Sequence, residues 1–169
     1  AKDGNEYILN LIDTPGHASF QNLRSRGSSL CDIAVVIINI MKGIEKQTLE
    51  SLDLLRQRRT PFIIALNQMD RIYQWKSTEF GAFRDSLDKQ KNSQKREFNK
   101  LVQDNITQLI KNNLNTALYD ENDNMKEYIN LVPTSAITGE GMPDLIGLLS
   151  FLSQKYLLRK IEFKNEVQC

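Results

Sequence analysis

Residues 62–70 read Phe-Ile-Ile-Ala-Leu-Asn-Gln-Met-Asp, a short apolar run followed at once by polar side chains. The run 62–66 is hydrophobic at every position, which is typical of a strand buried on both faces of a parallel sheet. Ligands of such sheets bind beyond the carboxyl ends of the strands. This stretch therefore predicts a parallel sheet. It also predicts that a binding site lies at the carboxyl end of this strand.

Three more apolar runs of similar length occur on either side of this strand. They cover residues 7–12, 33–40 and 128–132, and each is rich in β-branched or aromatic residues. Segments of helical period lie between them. The alternation predicts an α/β fold with a mostly parallel sheet and flanking helices.

Three segments carry apolar residues at helical spacing. The first covers 48–56, the second and most regular steps by three and four over 98–114, and the third covers 142–156. Residues 77–97 are polar and mixed in charge, so we interpret about 77–120 as a helical insertion. We expect Trp75 and Phe80 to pack beneath this insertion.

The composition is that of one soluble globular domain, with 169 residues of which 40% are hydrophobic and 25% charged. Lys and Arg number 22 against 21 Asp and Glu, so no overall field attracts DNA or a membrane. The two cysteines, Cys31 and Cys169, are too few for a disulfide framework or a zinc site. We predict a cytoplasmic protein without a membrane partner.

A first polar motif, Asp13-Thr14-Pro15-Gly16-His17, directly follows the strand predicted at 7–12. The Asp13 carboxylate is an oxygen ligand of the kind that Mg²⁺ prefers, and Gly16 lets the backbone approach a phosphate. His17, the single histidine of the chain, could orient or polarise an attacking water. A β-turn and a structural histidine would explain the same residues.

A second motif follows the strand at 62–66. The Asp70 carboxylate can accept two hydrogen bonds, from the N1–H and the exocyclic amine of guanine, and Asn67 adds a carbonyl and an amide. The alternative is that Asn67 or Asp70 caps the start of a helix.

A third motif, residues 135–141, reads Ser-Ala-Ile-Thr-Gly-Glu-Gly and follows the strand predicted at 128–132. Its backbone N–H groups could meet the guanine O6, although the same residues suit any capped loop that leads into a helix. Each motif is weak alone. Together, at successive strand ends and in the order phosphate, base, base, they indicate a guanine-nucleotide site.

With these three motifs the chain resembles the translational GTPases, and among them the initiation factors. The similarity also covers residues 20–32, 60–63 and 132–141, and extends over nearly the whole chain. It implies a three-layer G domain of the P-loop NTPase type that binds GTP and Mg²⁺. It also implies binding to the initiation complex and the ribosome, through large-subunit ribosomal RNA, where such factors promote subunit joining.

The resemblance assigns a role to each matching residue. Asp13 would reach Mg²⁺ through water, Gly16 would donate to the γ-phosphate, and His17 would position the hydrolytic water once a ribosome activates the factor. The residues that would contact GTP are Thr14, Pro15, Gly16, Asn67, Gln68, Asp70, Ser135, Ala136 and Ile137. No obligate homo-oligomer is implied.

The chain departs from the family pattern in two ways. Gln68 stands where the family usually has a Lys whose stem packs over the base, so we expect looser nucleotide binding with unchanged specificity. The 169 residues also contain no Gly-x-x-x-x-Gly-Lys-Ser or Thr loop for phosphates. We therefore interpret 1–160 as a G domain truncated at its N-terminus and 161–169 as the start of a linker, and expect the isolated chain to be inactive.

The missing phosphate-loop strand would leave two unpaired inner edges in the sheet. We expect the strands at 33–40, 62–66 and 128–132 to keep their pairing. The strand at 7–12 would be displaced, re-paired with 33–40, or exchanged between chains.

Two alternatives to a GTPase stay open at this point. One is an α/β module for an adenine nucleotide or another phosphate, against which the guanine-type edge of Asn67 and Asp70 argues. The other is a non-enzymatic α/β module that binds a protein or RNA.

Overall fold

The sheet is parallel throughout the part of the chain that the computed structural model describes, which is residues 10–12 and 31–166, with side chains as far as 155. Its strands are β1 (Ala34–Asn39), β2 (Phe62–Asn67), β3 (Thr116–Leu118) and β4 (Ile129–Pro133). They lie in the order β1-β2-β4-β3, and every pair is parallel. The predicted parallel sheet is confirmed.

Helices lie between β1 and β2 and between β2 and β3, and another follows β4, whereas residues 119–128 join β3 to β4 without a helix. They are α1 (Lys46–Gln57), α2 (Phe83–Asp88), α3 (Asn92–Lys111) and α4 (Met142–Glu166), and a single 3₁₀ turn covers Met69–Arg71. The three predicted helices correspond to α1, α3 and α4. The α3 helix ends before Leu114 because Asn113 is left-handed, with φ of 59°. The Leu114 N–H then turns back to the Leu109 carbonyl at 3.0 Å, and its side chain is buried.

The sheet separates two apolar cores. On one face it packs against α1 and α3, and the buried residues there include Val36, Ile38, Leu52, Leu55, Ile64, Leu66, Phe98, Val102, Leu109 and Leu131. On the other face it packs against α4, with Ile63, Ala65, Val132, Leu145, Leu148 and Leu152 buried. Consecutive strand residues point to opposite faces, which explains why β2 is apolar at every position from 62 to 66. The predicted three layers and α/β class are confirmed.

The edge strand β3 was not predicted from the sequence. It has only three residues, too few to show a period, and lies within the segment 77–120 that was interpreted as a helical insertion. That segment contains α2 and α3 as well as β3. It is well packed, because the rings of Phe83 and Phe98 are both fully buried with centroids 5.2 Å apart. Trp75 packs against Phe98 as expected, whereas Phe80 is 76% exposed.

The expected pairing of β1, β2 and β4 is confirmed, with Ala34–Asn39 in register with Phe62–Asn67 and Leu131 opposite Ile64. The strand predicted at 7–12 can be followed only at 10–12, where the chain forms no strand and Leu11 is 88% exposed. Residues 1–9 and 13–30 lie outside the described residues. The displacement or exchange of that strand stays a prediction.

The last helix continues to Glu166, so residues 161–166, predicted to begin a linker, are helical. Residues 167–169 lie outside the described part. No helix among the described residues is both long enough and apolar enough to cross a membrane.

Candidate functional site

The second and third motifs lie side by side at the carboxyl edge of the sheet, since β2 and β4 are adjacent and parallel. The backbone joins them beyond the last paired residues. The Thr134 N–H donates to the Leu66 carbonyl at 2.8 Å, and the Met69 N–H donates to the Thr134 carbonyl at 3.3 Å. The two loops therefore leave the sheet as one hydrogen-bonded unit.

Asn67 connects the two loops through its side chain. Its Oδ1 accepts a hydrogen bond from the Ala136 N–H at 2.9 Å. The two residues are 69 positions apart in sequence. The structure thus brings together residues of the two motifs that were predicted to bind the base.

Asp70 lies in the 3₁₀ turn that follows β2, and the residue is half-buried. Its Oδ1 is buried and has no hydrogen-bond partner among the described residues. A buried oxygen without a donor costs free energy, and a carboxylate oxygen costs more than a neutral one. A ligand that brings N–H groups to this oxygen would remove that cost, and the N1–H and amine of guanine are such groups.

Gln68 adopts the left-handed conformation, with φ of 73°. Its Oε1 accepts a hydrogen bond from the Asn39 Nδ2 at 2.7 Å. The Asn39 Oδ1 in turn accepts from the Met41 N–H at 2.9 Å, in the loop after β1. The Gln68 side chain is therefore turned toward β1, beside a shallow cavity of about 230 Å³ that Asn39, Gly43 and Asn67 help to line.

The loop after β4 is held from within. Ser135 is fully buried, its Oγ accepts from the Thr138 N–H at 3.2 Å, and its carbonyl accepts from the Gly139 N–H at 2.9 Å. Ala136 and Ile137 form the tip and are exposed, Ile137 by 75%. The loop thus presents the backbone of its tip to solvent while Ser135 anchors it.

Gly141 ends this loop in a conformation that only glycine tolerates there. Its φ is 72°, and a Cβ at this position would lie 1.9 Å from the Pro133 carbonyl oxygen. The close approach of the loop to β4 thus depends on the missing side chain.

A buried carboxylate, Glu140, belongs to this loop and was not predicted as a site residue. Its Oε1 accepts from the Trp75 Nε1–H at 3.2 Å and from the Thr78 N–H at 2.9 Å. Its Oε2 accepts from the Thr138 hydroxyl at 2.7 Å. Nothing in the sequence pairs Glu140 with Trp75, because 65 positions separate them.

The start of α4 is bonded to the chain segment just after the one that donates to Glu140. The Asp144 Oδ2 accepts from the Phe83 N–H at 2.7 Å. Asp144 also bonds to the Tyr119 hydroxyl. Burial, followed by that bond, raises the pKa of Tyr119 well above its ordinary range. The phenol therefore stays protonated and can donate to the carboxylate at every physiological pH.

The first motif cannot be placed in this geometry. Asp13, Thr14, Pro15, Gly16 and His17 all lie outside the described residues, so their roles stay predictions. Among the residues that are described, no group of three or more His, Cys, Asp or Glu side chains could hold a metal ion.

Comparison with known proteins bears on the same site. Residues 2–155 match the family model described as the elongation factor Tu GTP binding domain. The chain belongs to this family. Within it, the chain is 52% identical to eukaryotic translation initiation factor 5B of Schizosaccharomyces pombe, over 161 residues that make up 95% of this chain and 15% of that protein.

Archaeal members of the family are similar as well. A probable translation initiation factor IF-2 of Sulfolobus acidocaldarius is 39% identical over 92% of this chain and 26% of its own length. The crystal structure of GDP-bound aIF5B from Aeropyrum pernix superposes with a TM-score of 0.81, at 39% identity, over 86% of this chain and 24% of that one. The chain thus spans about a quarter or less of the proteins it matches.

Membership of a GTP-binding family distinguishes between the interpretations that the sequence left open. It supports a guanine-nucleotide domain over a non-enzymatic α/β module. The carboxylate of Asp70 points the same way against an adenine nucleotide, because the Watson–Crick edge of adenine has no N1–H to donate.

Proposed function

We propose that this chain is the guanine-binding part of a GTPase that acts as a translation initiation factor. Asp70 would accept from the N1–H and the amine of the base. The loop 135–137 would meet O6 with the backbone N–H groups of Ile137 and Ala136. The Ala136 N–H, which donates to the Asn67 Oδ1 in this structure, would share its hydrogen with O6, while the Ser135 N–H stays with the Glu140 carbonyl and anchors the loop. Asn67 would hold this loop against the motif that contains Asp70.

One observation carries the proposal. A buried carboxylate oxygen of Asp70, which has no partner within the described part of the chain, lies in a loop that is bonded directly to the loop after β4. A structural capping residue would have its acceptor satisfied by the backbone. An acceptor without a donor, in a loop joined to one that presents N–H groups, is the arrangement that a guanine edge completes.

The phosphate side of the site is proposed from the family pattern. Asp13 would hold Mg²⁺ through water, and Thr14, Pro15 and Gly16 would line the γ-phosphate. The metal ion would neutralise phosphate charge when bound. His17 would orient the water that attacks the γ-phosphate.

The cellular role rests on the names of the relatives, which are translation initiation factors. We propose that the full-length protein binds the initiation complex and the ribosome, through large-subunit ribosomal RNA, and promotes subunit joining in the cytoplasm. Neither a membrane nor DNA is a proposed partner. The surface that would meet RNA is a local one, because the chain is almost neutral overall.

Replacing Asp70 by Asn in the full-length protein tests the proposal. The amide can donate to the O2 of xanthine but accepts poorly from the N1–H and amine of guanine, so GDP should bind about ten- to a hundredfold more weakly and xanthosine diphosphate more tightly. Calorimetric titration with both nucleotides, and with ADP, measures the change.

The matched control is Asp53→Asn, which neutralises an exposed carboxylate on α1. It should leave all three affinities as they are. A wild-type protein that binds ADP as tightly as GDP, or an Asp70→Asn variant that keeps the wild-type preference, would refute the proposed base-binding site.

A further inference from the structure

A segment outside the three motifs lies against the loop after β4. We call residues 75–83 the clasp segment. Its backbone bonds to the loop at two points: the Phe80 N–H donates to the Thr138 carbonyl at 2.9 Å, and the Gly141 N–H donates to the Gly81 carbonyl at 3.0 Å. The ring of Phe80 lies over Gly139, where a Cβ would come within 2.5 Å of it.

The Glu140 carboxylate joins the clasp segment to the loop from the inside. It is fully buried, and both of its oxygens are used: one by Trp75 and the Thr78 N–H of the clasp segment, the other by the Thr138 hydroxyl of the loop. A buried carboxylate is stable only if donors compensate for its lost hydration. The clasp segment therefore supplies donors that the loop itself lacks.

Glu140 is bonded to the residues on both sides of the tip of the loop. The Ser135 N–H donates to the Glu140 carbonyl at 2.9 Å, which closes the loop at its base. Thr138, held by the carboxylate, directly follows the exposed residues Ala136 and Ile137. On the other side the tip is fixed by Asn67 alone among the side-chain bonds described. Glu140 and Asn67 thus hold the tip from opposite ends.

We propose that Glu140, with Trp75 as its donor in the clasp segment, is a positioning residue for the N–H groups that meet the guanine O6. This inference rests on the proposed function. Glu140 touches no atom of the base and acts through the placement of Ala136 and Ile137. Asp70, in the other loop, serves the opposite edge of the base and does not depend on Glu140.

The independence of the two edges provides the test. In 6-thioguanosine diphosphate the O6 acceptor is replaced by sulfur, a weak acceptor, while the groups that Asp70 binds are kept. Inosine diphosphate keeps O6 and lacks the exocyclic amine. The affinity ratio of GDP to the thio analogue therefore measures the O6 contact, and the ratio of GDP to the inosine analogue measures the Asp70 contact.

The variants are made in the full-length protein. Trp75→Phe keeps an aromatic ring beside Phe98 and removes the indole N–H together with the five-membered ring that carries it. It should weaken GDP binding about threefold to tenfold and lower the ratio of GDP to the thio analogue by a similar factor. The ratio of GDP to the inosine analogue should stay the same.

Two substitutions of Glu140 are expected to have one smaller and one equal or larger effect than Trp75→Phe. Glu140→Gln keeps an oxygen for Trp75 and Thr78 and offers an amide to the Thr138 oxygen, so it should behave almost as the wild type. Glu140→Ala removes every side-chain bond of this residue and should lower the affinity ratio of GDP to the thio analogue at least as far as Trp75→Phe does. The control is Glu97→Gln, an exposed carboxylate on α3.

The outcomes separate the inference from the proposed function. If Trp75→Phe leaves the ratio of GDP to the thio analogue unchanged, or lowers both ratios equally, Glu140 has no positioning role. Trp75→Phe alone decides the question if Glu140→Ala does not fold. A wild-type protein that fails to prefer GDP over ADP would instead overturn the proposed function.

Discussion

Two loops flank the end of β2, and they are fixed by different kinds of contact. The loop after β4 meets its neighbours largely through its own backbone, in addition to the side-chain bonds of Glu140: the Ala136 N–H donates to Asn67, and Gly141 lies against the Pro133 carbonyl. The loop after β1 begins with a backbone bond, from the Ile40 N–H to the Asn67 carbonyl at 3.0 Å, and beyond it reaches its neighbours through side chains. There Gln68 bonds to the Asn39 amide, and a Cβ on Gly43 would meet the side chain of Gln108 at 2.6 Å.

The difference means that the contacts of the loop after β4 tolerate little change, whereas the contacts of the loop after β1 can vary. A contact to the backbone does not depend on the identity of the residue that carries it, and the backbone has little room to move. A contact between two side chains can be re-formed by rotamer changes or by a paired substitution. We infer that the loop after β4 fixes base recognition, while the loop after β1 can adapt to Gln68.

Adding a methyl group to one left-handed glycine in each loop, Gly141 and Gly43, tests this difference most directly. Gly141→Ala should destabilise the chain by about 3 kcal/mol or more, because the strained φ and a backbone clash act together. Gly43→Ala should cost about 1–2 kcal/mol, since the Gln108 side chain can move aside, although it then gives up its bond to the Ile44 N–H. Urea unfolding of each variant measures both.

Gly147→Ala is the control for these substitutions. Gly147 lies inside α4, and a Cβ there meets nothing within 4 Å, so alanine should stabilise the chain by about 0.5–1 kcal/mol. If Gly43→Ala proves as costly as Gly141→Ala, the two loops are equally rigid and the comparison is wrong.

The fold was largely predictable because its central strands are buried on both faces. Such strands are apolar throughout, as in residues 62–66, and stand out in the sequence. The helix α3 was equally easy to recognise, because apolar residues recur at helical spacing over 98–114. The edge strand β3 was not, since it is three residues long and takes its conformation from pairing with β4. Tertiary contact, rather than local preference, made it a strand.

The site was predictable only where residues follow a strand directly. Asn67, Asp70 and Ser135 could be placed together because adjacent parallel strands end at one edge. Glu140 was not recognised, because its donors come from Trp75 and Thr78, more than 60 positions earlier in the chain. The turn of the Gln68 side chain toward Asn39 was likewise hidden, since both are neutral amides that carry no pairing signal.

An intermediate effect is expected from Asn67→Ala, which removes the link between the two loops that are proposed to bind the base. The Ala136 N–H loses its acceptor, and the tip of the loop then keeps only the bonds on its far side, which Thr138 makes to Glu140, Ser135 and Phe80. We expect a loss of about 1–2 kcal/mol in the free energy of unfolding and a drop of about tenfold in GDP affinity. Urea unfolding and calorimetric titration measure these changes.

Asn67→Asp is the matched variant, because it keeps the acceptor at Oδ1 and should retain most of the stability of the loop. If Asn67→Ala leaves both the stability and the GDP affinity unchanged, the bond to Ala136 does not organise the site.

The smallest effect is expected at the side-chain contact between Gln68 and Asn39. Gln68→Lys restores the residue usual in the family but cannot accept from the Asn39 amide, so alone it should lose about 0.5–1 kcal/mol of stability. With Asn39→Asp the same lysine gains a carboxylate, which also accepts well from the Met41 N–H. The two substitutions together should therefore be about as stable as the wild type, with a coupling of about 1 kcal/mol in a double-mutant cycle. The preference for GDP over the inosine analogue should not change in any of the three variants, because the proposed function assigns this preference to Asp70. Strict additivity of the two substitutions would show that the adaptable contact proposed for this side of the site does not exist.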